Sequence, residues 1–498
     1  MLHLQRTLLV IAVMMATIME VLDMTIINVS LQSMGGELSA TPSQMSWAMT
    51  SYILASAIAM PLTGFFTDNF GRKQYLLFSM CTFVLTSILC AVAQSLEALI
   101  LFRFLQGVFG ASLVPISQAV MVDMYPPAQR GKAMAIWGSG IMIAPIMGPV
   151  LGGWLTEHFS WRWAFLINFP IGIIAVFLTH KYMSVRDRNP RPMDWQGFAA
   201  LVLSVSGIQY CLDKGHEEDW FESNQIRVMA FIALTGLIWL CIHVRKQTAN
   251  RPIFNPIMFR NSNFVLSNLG MVAISIALFG SITLQPLYFQ LVLGFSTSVS
   301  GQFMIPRGIA SMFSMMLVSQ LINRVDSRRL IAVGIFFGTL GTWSMSFYAP
   351  EASNFSLLWP TLLQGIGMGF IFIPFNSIAY STLPPALITE ASGVYNLIRT
   401  LGNAAGISTV MLLFNHDFQS QWQHLGGFIS IFNPNLDQYL SNSQLPVQDA
   451  VTLSLLGKEL ALQAQTMALL NAIRNTSISF ILIIPFLFVL KPAQSIKN

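Results

Sequence analysis

The sequence predicts an all-α polytopic membrane protein, and three observations predict it. Only 9% of its 498 residues are Asp, Glu, Lys or Arg, against a usual share of about 25% in soluble domains. Apolar residues make up 54%, with 37 Phe, 28 Met and 11 Trp, at a mean hydropathy of +0.62, which is more apolar surface than a water-facing exterior holds. Finally, the apolar residues gather into stretches of roughly 20, the length that carries a helix across a ~30 Å hydrocarbon core at 1.5 Å rise per residue.

Fourteen stretches qualify, near residues 8–30, 47–66, 75–94, 98–121, 133–155, 163–181, 196–213, 227–244, 264–292, 299–322, 330–348, 356–379, 392–414 and 475–490. The first carries acidic residues and no small-residue cleavage site after it, so it is expected to remain as a helix. Orientation follows from Lys and Arg in the short loops. They occur after span 2 (Arg72, Lys73), span 4 (Arg130, Lys132), span 6 (Lys181, Arg186, Arg188, Arg191), span 8 (Arg245, Lys246, Arg251, Arg260) and span 10 (Arg324, Arg328, Arg329). The loops after spans 1, 3, 9 and 11 hold none, and the loop at 380–391 is uninformative. Both termini are therefore expected in the cytoplasm.

An internal repeat sets the domain organisation. Leu105-Gln106-Gly107 recurs as Leu363-Gln364-Gly365, and Pro126-Pro127-Ala128 as Pro384-Pro385-Ala386, both at an offset of 258 residues. This lays span 4 on span 12, a shift of eight where a plain doubling of six helices gives six. Two extra helices must separate the halves, and spans 7 and 8, flanked by the charged segments 181–194 and 245–260, fit that place. The expected domains are a six-helix bundle over 1–182, two inserted transmembrane helices with their linkers over 183–262, and a second six-helix bundle over 263–498. The last contains a polar outer loop, 415–473, far longer than any other. Parallel halves of this kind hold their binding site between them at mid-membrane.

Composition and missing motifs exclude several function classes. The net charge of +5 is scattered over short loops rather than clustered with aromatics, so it reads as topology and not as a nucleic-acid surface. Cys81, Cys90, Cys211 and Cys241 lie in apolar stretches without ligand spacing, which argues against disulfides or a metal site and for buried, inert thiols. No GxxxxGKS/T, HExxH or GxSxG occurs, so the chain carries no ATP engine and no peptidase or serine-hydrolase signature. The seven histidines lie at span ends or in loops, where solvated side chains are expected. An intramembrane enzyme would need a nucleophile or metal ligands at one depth, and only acids and arginines are found there.

Two motifs carry more chemistry. Between spans 2 and 3, Gly64, Asp68, Gly71, Arg72 and Lys73 place a small residue, an acid and a basic pair around a cytoplasmic turn; Asp68 can accept charge-assisted hydrogen bonds from a helix end or from Arg130 and so latch the inner face. In span 5, Gly140, Ala144, Gly148 and Gly152 recur every fourth residue, a smooth stripe for close helix approach. Gly153 follows the stripe, and Pro145 and Pro149 within it suggest a kink. The first segment closely resembles the cytoplasmic loop motif of the major facilitator superfamily. Residues 138–153 resemble the motif that marks its proton-coupled exporters.

Three further segments narrow the resemblance. Leu22-Asp23-Met24-Thr25-Ile26-Ile27-Asn28, the run from Trp161 and Arg162 through Asn168 and Pro170 to Gly172, and Leu212-Asp213-Lys214-Gly215 with Asp219-Trp220 are similar to the fourteen-helix drug:proton antiporters. Within these the chain is similar to the EmrB/QacA type, and Phe432-Asn433-Pro434-Asn435 looks like the EmrB branch. The likeness covers essentially the full length. It implies the major facilitator fold, two six-helix bundles plus two inserted helices.

Five ionisable groups lie at membrane depth: Glu20, Asp23, Arg103, Arg307 and Arg399. Each costs at least about 2.5 kcal/mol at a helix centre and survives mainly in a cavity or a pair; snorkelling is an alternative for Arg307 and Arg399. Helix rise places Asp23 and Arg103 at one depth, roughly 10–12 Å below the outer surface. The resemblance makes spans 1 and 4 neighbours and assigns Arg103 to proton coupling, so Asp23, Glu20 and Arg103 are the expected proton-coupling group. Glu20, one turn inward of Asp23, departs from the family pattern. Candidate cavity residues are Asn28, Gln106, Gln364, Asn396, Arg399 and Asn403. The implied function is proton-coupled export of toxic amphipathic compounds across a bacterial inner membrane, with no cofactor beyond the proton gradient and no metal. A periplasmic adaptor and an outer-membrane channel are the implied partners. Two other readings stand beside it: a proton-coupled uptake symporter, against which the span 5 motif speaks, and a non-transporting membrane receptor.

Overall fold

A computed structural model describes residues 2–126, 129–185, 188–190, 192–246, 253, 255–322, 324–384, 387–429, 433, 434, 436, 438 and 450–489. The side chains of Asn28 and Pro149 lie outside this description. The N-terminal half consists of α1 (Leu2–Glu37), α2 (Pro42–Ala59), α3 (Thr63–Phe70), α4 (Arg72–Ala91), α5 (Leu96–Gly110), α6 (Leu113–Met124), α7 (Arg130–His158), α8 (Trp163–Leu166) and α9 (Asn168–Tyr182). Helices α10 (Trp195–Lys214) and α11 (Asn224–Lys246) follow as a packed pair. The short α12 (Ile257–Arg260) leads into α13 (Ser262–Leu291), α14 (Thr297–Leu321), α15 (Ser327–Met345), α16 (Asn354–Ser381), α17 (Ile388–Gly426), α18 (Ala450–Ser479) and α19 (Ile484–Val489).

Among the described residues, twelve helical segments are long and apolar enough to cross a membrane. The expected spans 10 and 11 are the helices α14 and α15, of 25 and 19 residues, so fourteen crossings are compatible with the structure. Several crossings are broken rods. Span 4 is interrupted between Gly110 and Leu113, because the Pro115 ring clashes with the carbonyl of Ala111, four residues earlier, and offers no N–H. Helix α7, by contrast, is continuous through Pro145.

Duplication is visible in the packing. Gly107 on α5 lies against the Tyr52 carbonyl and Ala55 of α2, and Gly365 on α16 lies against the Arg307 carbonyl and Ala310 of α14. Each glycine lets two backbones approach where a Cβ would collide.

The structure departs from sequence expectation in three places. Residues 415–426, expected as the start of the outer loop, continue α17, whereas the stretch from Val451 to Ala461, which reads as an amphipathic helix in the sequence, is helical in α18. Polar helices outside the lipid lack the hydropathy signal by which the spans were found. His243 is buried and holds Asp194 at 2.8 Å, instead of being solvated; Asp194 also caps α10 through the Gly197 N–H and accepts from the Ile253 N–H. Cys81 and Cys241 are exposed on helix faces inside apolar spans, and only Cys90 is a fully buried thiol. Helix α10 lies against α2, with the Trp47 and Tyr210 rings tilted to each other at 6.1 Å and Lys214 bonded to Ser46.

Candidate functional site

Helix α1 carries the two membrane-embedded acids, and the structure gives them different partners. Asp23 is fully buried. Its Oδ2 accepts from Arg103 Nη1 at 2.5 Å, and its Oδ1 accepts from Gln106 Nε2 at 3.0 Å and from Asn168 Nδ2 at 2.9 Å. Arg103 is further tied to α2 by a bond from Nε to the Ala48 carbonyl, 3.2 Å, and stacks over the Tyr52 ring at 4.1 Å. Asn168 also donates to Ser87 on α4. One carboxylate therefore gathers donors from α5 and α9 and, through them, reaches α2 and α4.

Glu20 turns elsewhere. Its Oε2 accepts from the backbone N–H of Val114 at 3.0 Å, a donor freed by the break that Pro115 makes in span 4. Arg399 on α17 is a cation close enough to interact electrostatically with Glu20. The expected cluster of Glu20, Asp23 and Arg103 is thus two adjacent sites: Asp23 with Arg103 inside the N-terminal bundle, and Glu20 on the side that meets the other half.

The second half has a cluster of the same polar character. Gln364 donates to Ser281 and Thr342, Gln285 donates to Thr361, and Arg307 donates to Gln285 Oε1. The expected cavity residues consequently divide. Gln106 and Gln364 are buried inside their bundles, Asn396 is buried where the halves meet, and Arg399 and Asn403 are partly exposed.

The end that carries the loop motif is held closed by polar contacts in this structure. Arg72 bonds Asp123 Oδ2 and Thr389 Oγ1, both at 2.6 Å, so it links the loop motif to the C-terminal half. Gly71 has φ +85° at the turn, a conformation that favours glycine. Gly64 packs against Glu390, whose carboxylate accepts from the Asn255 N–H. The Asp68 carbonyl accepts from Asn189, and Arg130 reaches toward the Tyr380 carbonyl at 3.5 Å. Lys73 is partly exposed. Deeper in, Gln118 bonds Asn376, Asn396 and Tyr380, and Ser392 donates to the Pro115 carbonyl. Asp123, Gln118 and Asn376 were not singled out by sequence reasoning, although Gln118 and Asn376 stand at the repeat spacing of 258; Asn168 was marked only as part of the segment that carries the family resemblance.

The glycine stripe of α7 faces α1. Gly140 abuts Met14, Gly148 abuts Thr25, and Gly152 lies against the Ile26 carbonyl. Thr25 donates to the Ala144 carbonyl at 3.2 Å, and Ser30 bonds Thr156 at 2.9 Å. Gly153 instead faces Ser298 of α14. Among the described residues no cluster of His, Cys, Asp or Glu is suited to a metal.

Comparisons with known proteins agree with this architecture. The Major Facilitator Superfamily profile matches residues 13–407. The chain is 34% identical to the multidrug export protein EmrB of Haemophilus influenzae over 461 residues, 92% of this chain and 90% of that protein. It is 31% identical to the fatty acid resistance protein FarB of Neisseria gonorrhoeae over 482 residues, 96% and 94% of the two chains. Among solved structures, the human organic anion transporter MFSD10 superposes with a TM-score of 0.63 at 14% identity, covering 98% of this chain and 99% of that one. The proton:xylose symporter XylE gives 0.62 at 12% identity, covering 98% and 97%. The structural likenesses speak for the fold alone, whereas the sequence relatives carry the family: the chain belongs to the Major Facilitator Superfamily and, within it, to the family of the EmrB proteins.

Proposed function

We propose that the chain is a proton-coupled antiporter of a bacterial inner membrane that exports toxic amphipathic compounds from the cytoplasm. The observation that carries this reading is the fully buried Asp23, with Arg103 at 2.5 Å and two amide donors on its other oxygen. A titratable acid held by an arginine inside a transmembrane bundle is the group a proton relay needs. Protonation would neutralise Asp23, loosen Arg103 and relax the donors on α5 and α9; loss of the proton would re-form the network. Glu20 sits beside it toward the half that carries Arg399, so binding of a cationic cargo and proton binding would compete for one negative charge. The gradient supplies the energy, and the reading needs no cofactor.

In this reading residues 1–182 and 263–498 form the two moving halves and 183–262 the inserted pair, with both termini in the cytoplasm. The paired helices α7 and α14 serve as the pivot. At 39 residues α17 is about 58 Å long, well beyond a ~30 Å hydrocarbon core. Its outer end and the start of α18 offer a surface on which a periplasmic adaptor, leading to an outer-membrane channel, would dock. The deciding experiment is substrate-induced proton release across proteoliposomes: wild-type protein should dissipate an imposed pH gradient on adding a toxic amphiphilic cation, and Asp23→Asn should not. A wild-type protein that moves no protons would overturn the reading.

A further inference from the structure

Arg103 has its acid; Arg307, the buried arginine of the other half, has none. Arg307 lies on α14, ten residues in from its outer end and only 6% exposed. Its Nη2 donates to Gln285 Oε1, while Nε and Nη1 have no hydrogen-bond partner among the described residues. None of the described ion pairs includes it. The neighbouring polar groups cannot balance the charge. Gln285 Nε2 is held by Thr361 Oγ1 at 2.8 Å, and the Tyr348 hydroxyl donates to the Leu357 carbonyl at 2.9 Å. Tyr288, one helical turn from Gln285 and fully buried, keeps an unpartnered hydroxyl. A guanidinium in a low-dielectric interior with spare N–H groups is a strong attractor for an oxyanion, and its planar fork suits a carboxylate.

The apolar surroundings say what else the ligand should carry. One turn toward the outer end of α14, Phe303 packs against Phe289 at 5.5 Å and Phe295 at 5.4 Å between ring centroids. Residues at i and i−4 share a helix face, so Phe303 and Arg307 lie on one face of α14, with the half-buried Phe295 and Phe303 rings outward of the cation and the buried Phe289 behind them.

We infer that Arg307, supported by Gln285 and Tyr288, is an anion-recognising subsite of the C-terminal half that takes the carboxylate of an amphipathic organic acid, its apolar tail lying on Phe295 and Phe303. The subsite rests on the transport reading only in making the ligand a cargo; binding itself needs neither Asp23 nor a gradient.

The test is equilibrium binding to the purified full-length protein in nanodiscs at pH 7, with decanoate, decanol and decyltrimethylammonium as probes of one chain length. Wild type should bind decanoate at least about tenfold more tightly than decanol, the scale of one charged hydrogen-bonded contact. Arg307→Gln should lose that advantage while keeping its affinity for decyltrimethylammonium, which also reports that it is folded. Should Arg307→Gln not fold, Tyr288→Phe, which removes one hydroxyl, should weaken decanoate a few-fold and leave decanol unchanged. Asp23→Asn should bind decanoate as wild type does, so failure of proton coupling and failure of this subsite are read separately. Equal affinity for decanoate and decanol in wild type, or undiminished decanoate binding in a folded Arg307→Gln, would overturn the inference. Acetate binding as tightly as decanoate would reassign the site to a small free anion and overturn the amphiphile as its ligand.

Discussion

Gln118 and Asn376 are separated by the 258 residues of the internal repeat, and their buried side chains are hydrogen-bonded to each other at 2.9 Å. Two copies of one position can touch only where the axis relating the halves passes, so this pair marks that axis on the closed side. Gln118 also accepts from Asn396 at 2.8 Å and from the Tyr380 hydroxyl at 3.1 Å. A single amide from the N-terminal half thus joins α16 and α17 of the other.

Gln118→Leu should therefore favour an inner-open state. It strips partners from the Asn376 carbonyl oxygen, the Asn396 amide and the Tyr380 hydroxyl, each loss worth about 1–3 kcal/mol while the group stays buried. The penalty falls on the closed state alone, because opening gives these groups water, so the population should move by about tenfold or more. Maleimide labelling of Ser392→Cys, buried in the closed structure, should accelerate when Gln118→Leu is added. An unchanged labelling rate would contradict the gate assigned to Gln118.

Some of this was legible in the sequence, for physical reasons that differ by residue. Asp23 and Arg103 could be placed at one depth because helix rise is fixed and the spans have readable ends. Their bond follows once α1 and α5 are neighbours. Glu20 could be recognised as a membrane acid, but its partner depends on which backbone N–H a broken helix exposes. Pro115 signals the break without saying what fills it. Gln118 and Asn376 escaped notice because the two halves have diverged to different amides, so no identical residue flagged the pair. The bond between Asp194 and His243 escaped for another reason: a histidine near a span end looks solvated until the fold brings an acid back to it.

The stripe on α7 predicts a contrast between two neighbouring glycines. A Cβ at Gly148 would collide with the side chain of Thr25 and lie 3.1 Å from its backbone carbon, so Gly148→Ala must push α7 away from α1. Overpacking of this kind costs typically about 1–3 kcal/mol, and the Thr25 bond to Ala144 would be lost with it. At Gly153 the nearest atom is 3.7 Å away, on Ser298, which is ordinary contact. Melting temperature and drug resistance should fall for Gly148→Ala and stay near wild type for Gly153→Ala. Equal behaviour of the two would remove the α1 to α7 contact as the stripe's purpose.

A pH effect is expected where α1 ends. Arg162, at the start of the α8 segment, hydrogen-bonds Glu37 and holds its carboxyl below the ordinary value of 4.5. Because the folded pKa is depressed, the pair stabilises above the unfolded pKa, and that contribution is lost as pH falls through the folded one. Both side chains are well exposed, at 35% and 48%, which limits the contribution to about 0–1 kcal/mol. Glu37→Gln should lower the melting temperature slightly at pH 7, and the difference should vanish on acidification below 4.5 and shrink in about 0.5 M salt. A difference that grows on acidification would contradict the pairing.

The two acids of α1 should separate in their phenotypes. Asp23→Asn removes the counter-charge of a buried arginine, and breaking such a pair costs about 3–5 kcal/mol; the Gln106 and Asn168 amides would lose a strong acceptor too. Thermal stability should drop, and adding Arg103→Gln should recover much of it by removing the stranded charge, without restoring drug-induced proton release. Glu20→Gln differs because a glutamine oxygen can still accept from the Val114 N–H, so the fold should hold. What it loses is a titratable acid within electrostatic reach of Arg399. Export of a monovalent cationic drug should fall, its pH dependence should flatten, and a neutral drug should be affected less. These outcomes are read together by measuring stability, drug binding and proton release on the same purified proteins. If Asp23→Asn releases protons normally while Glu20→Gln does not, Glu20 is the proton carrier and the Asp23 to Arg103 bond serves to hold α1 against α5.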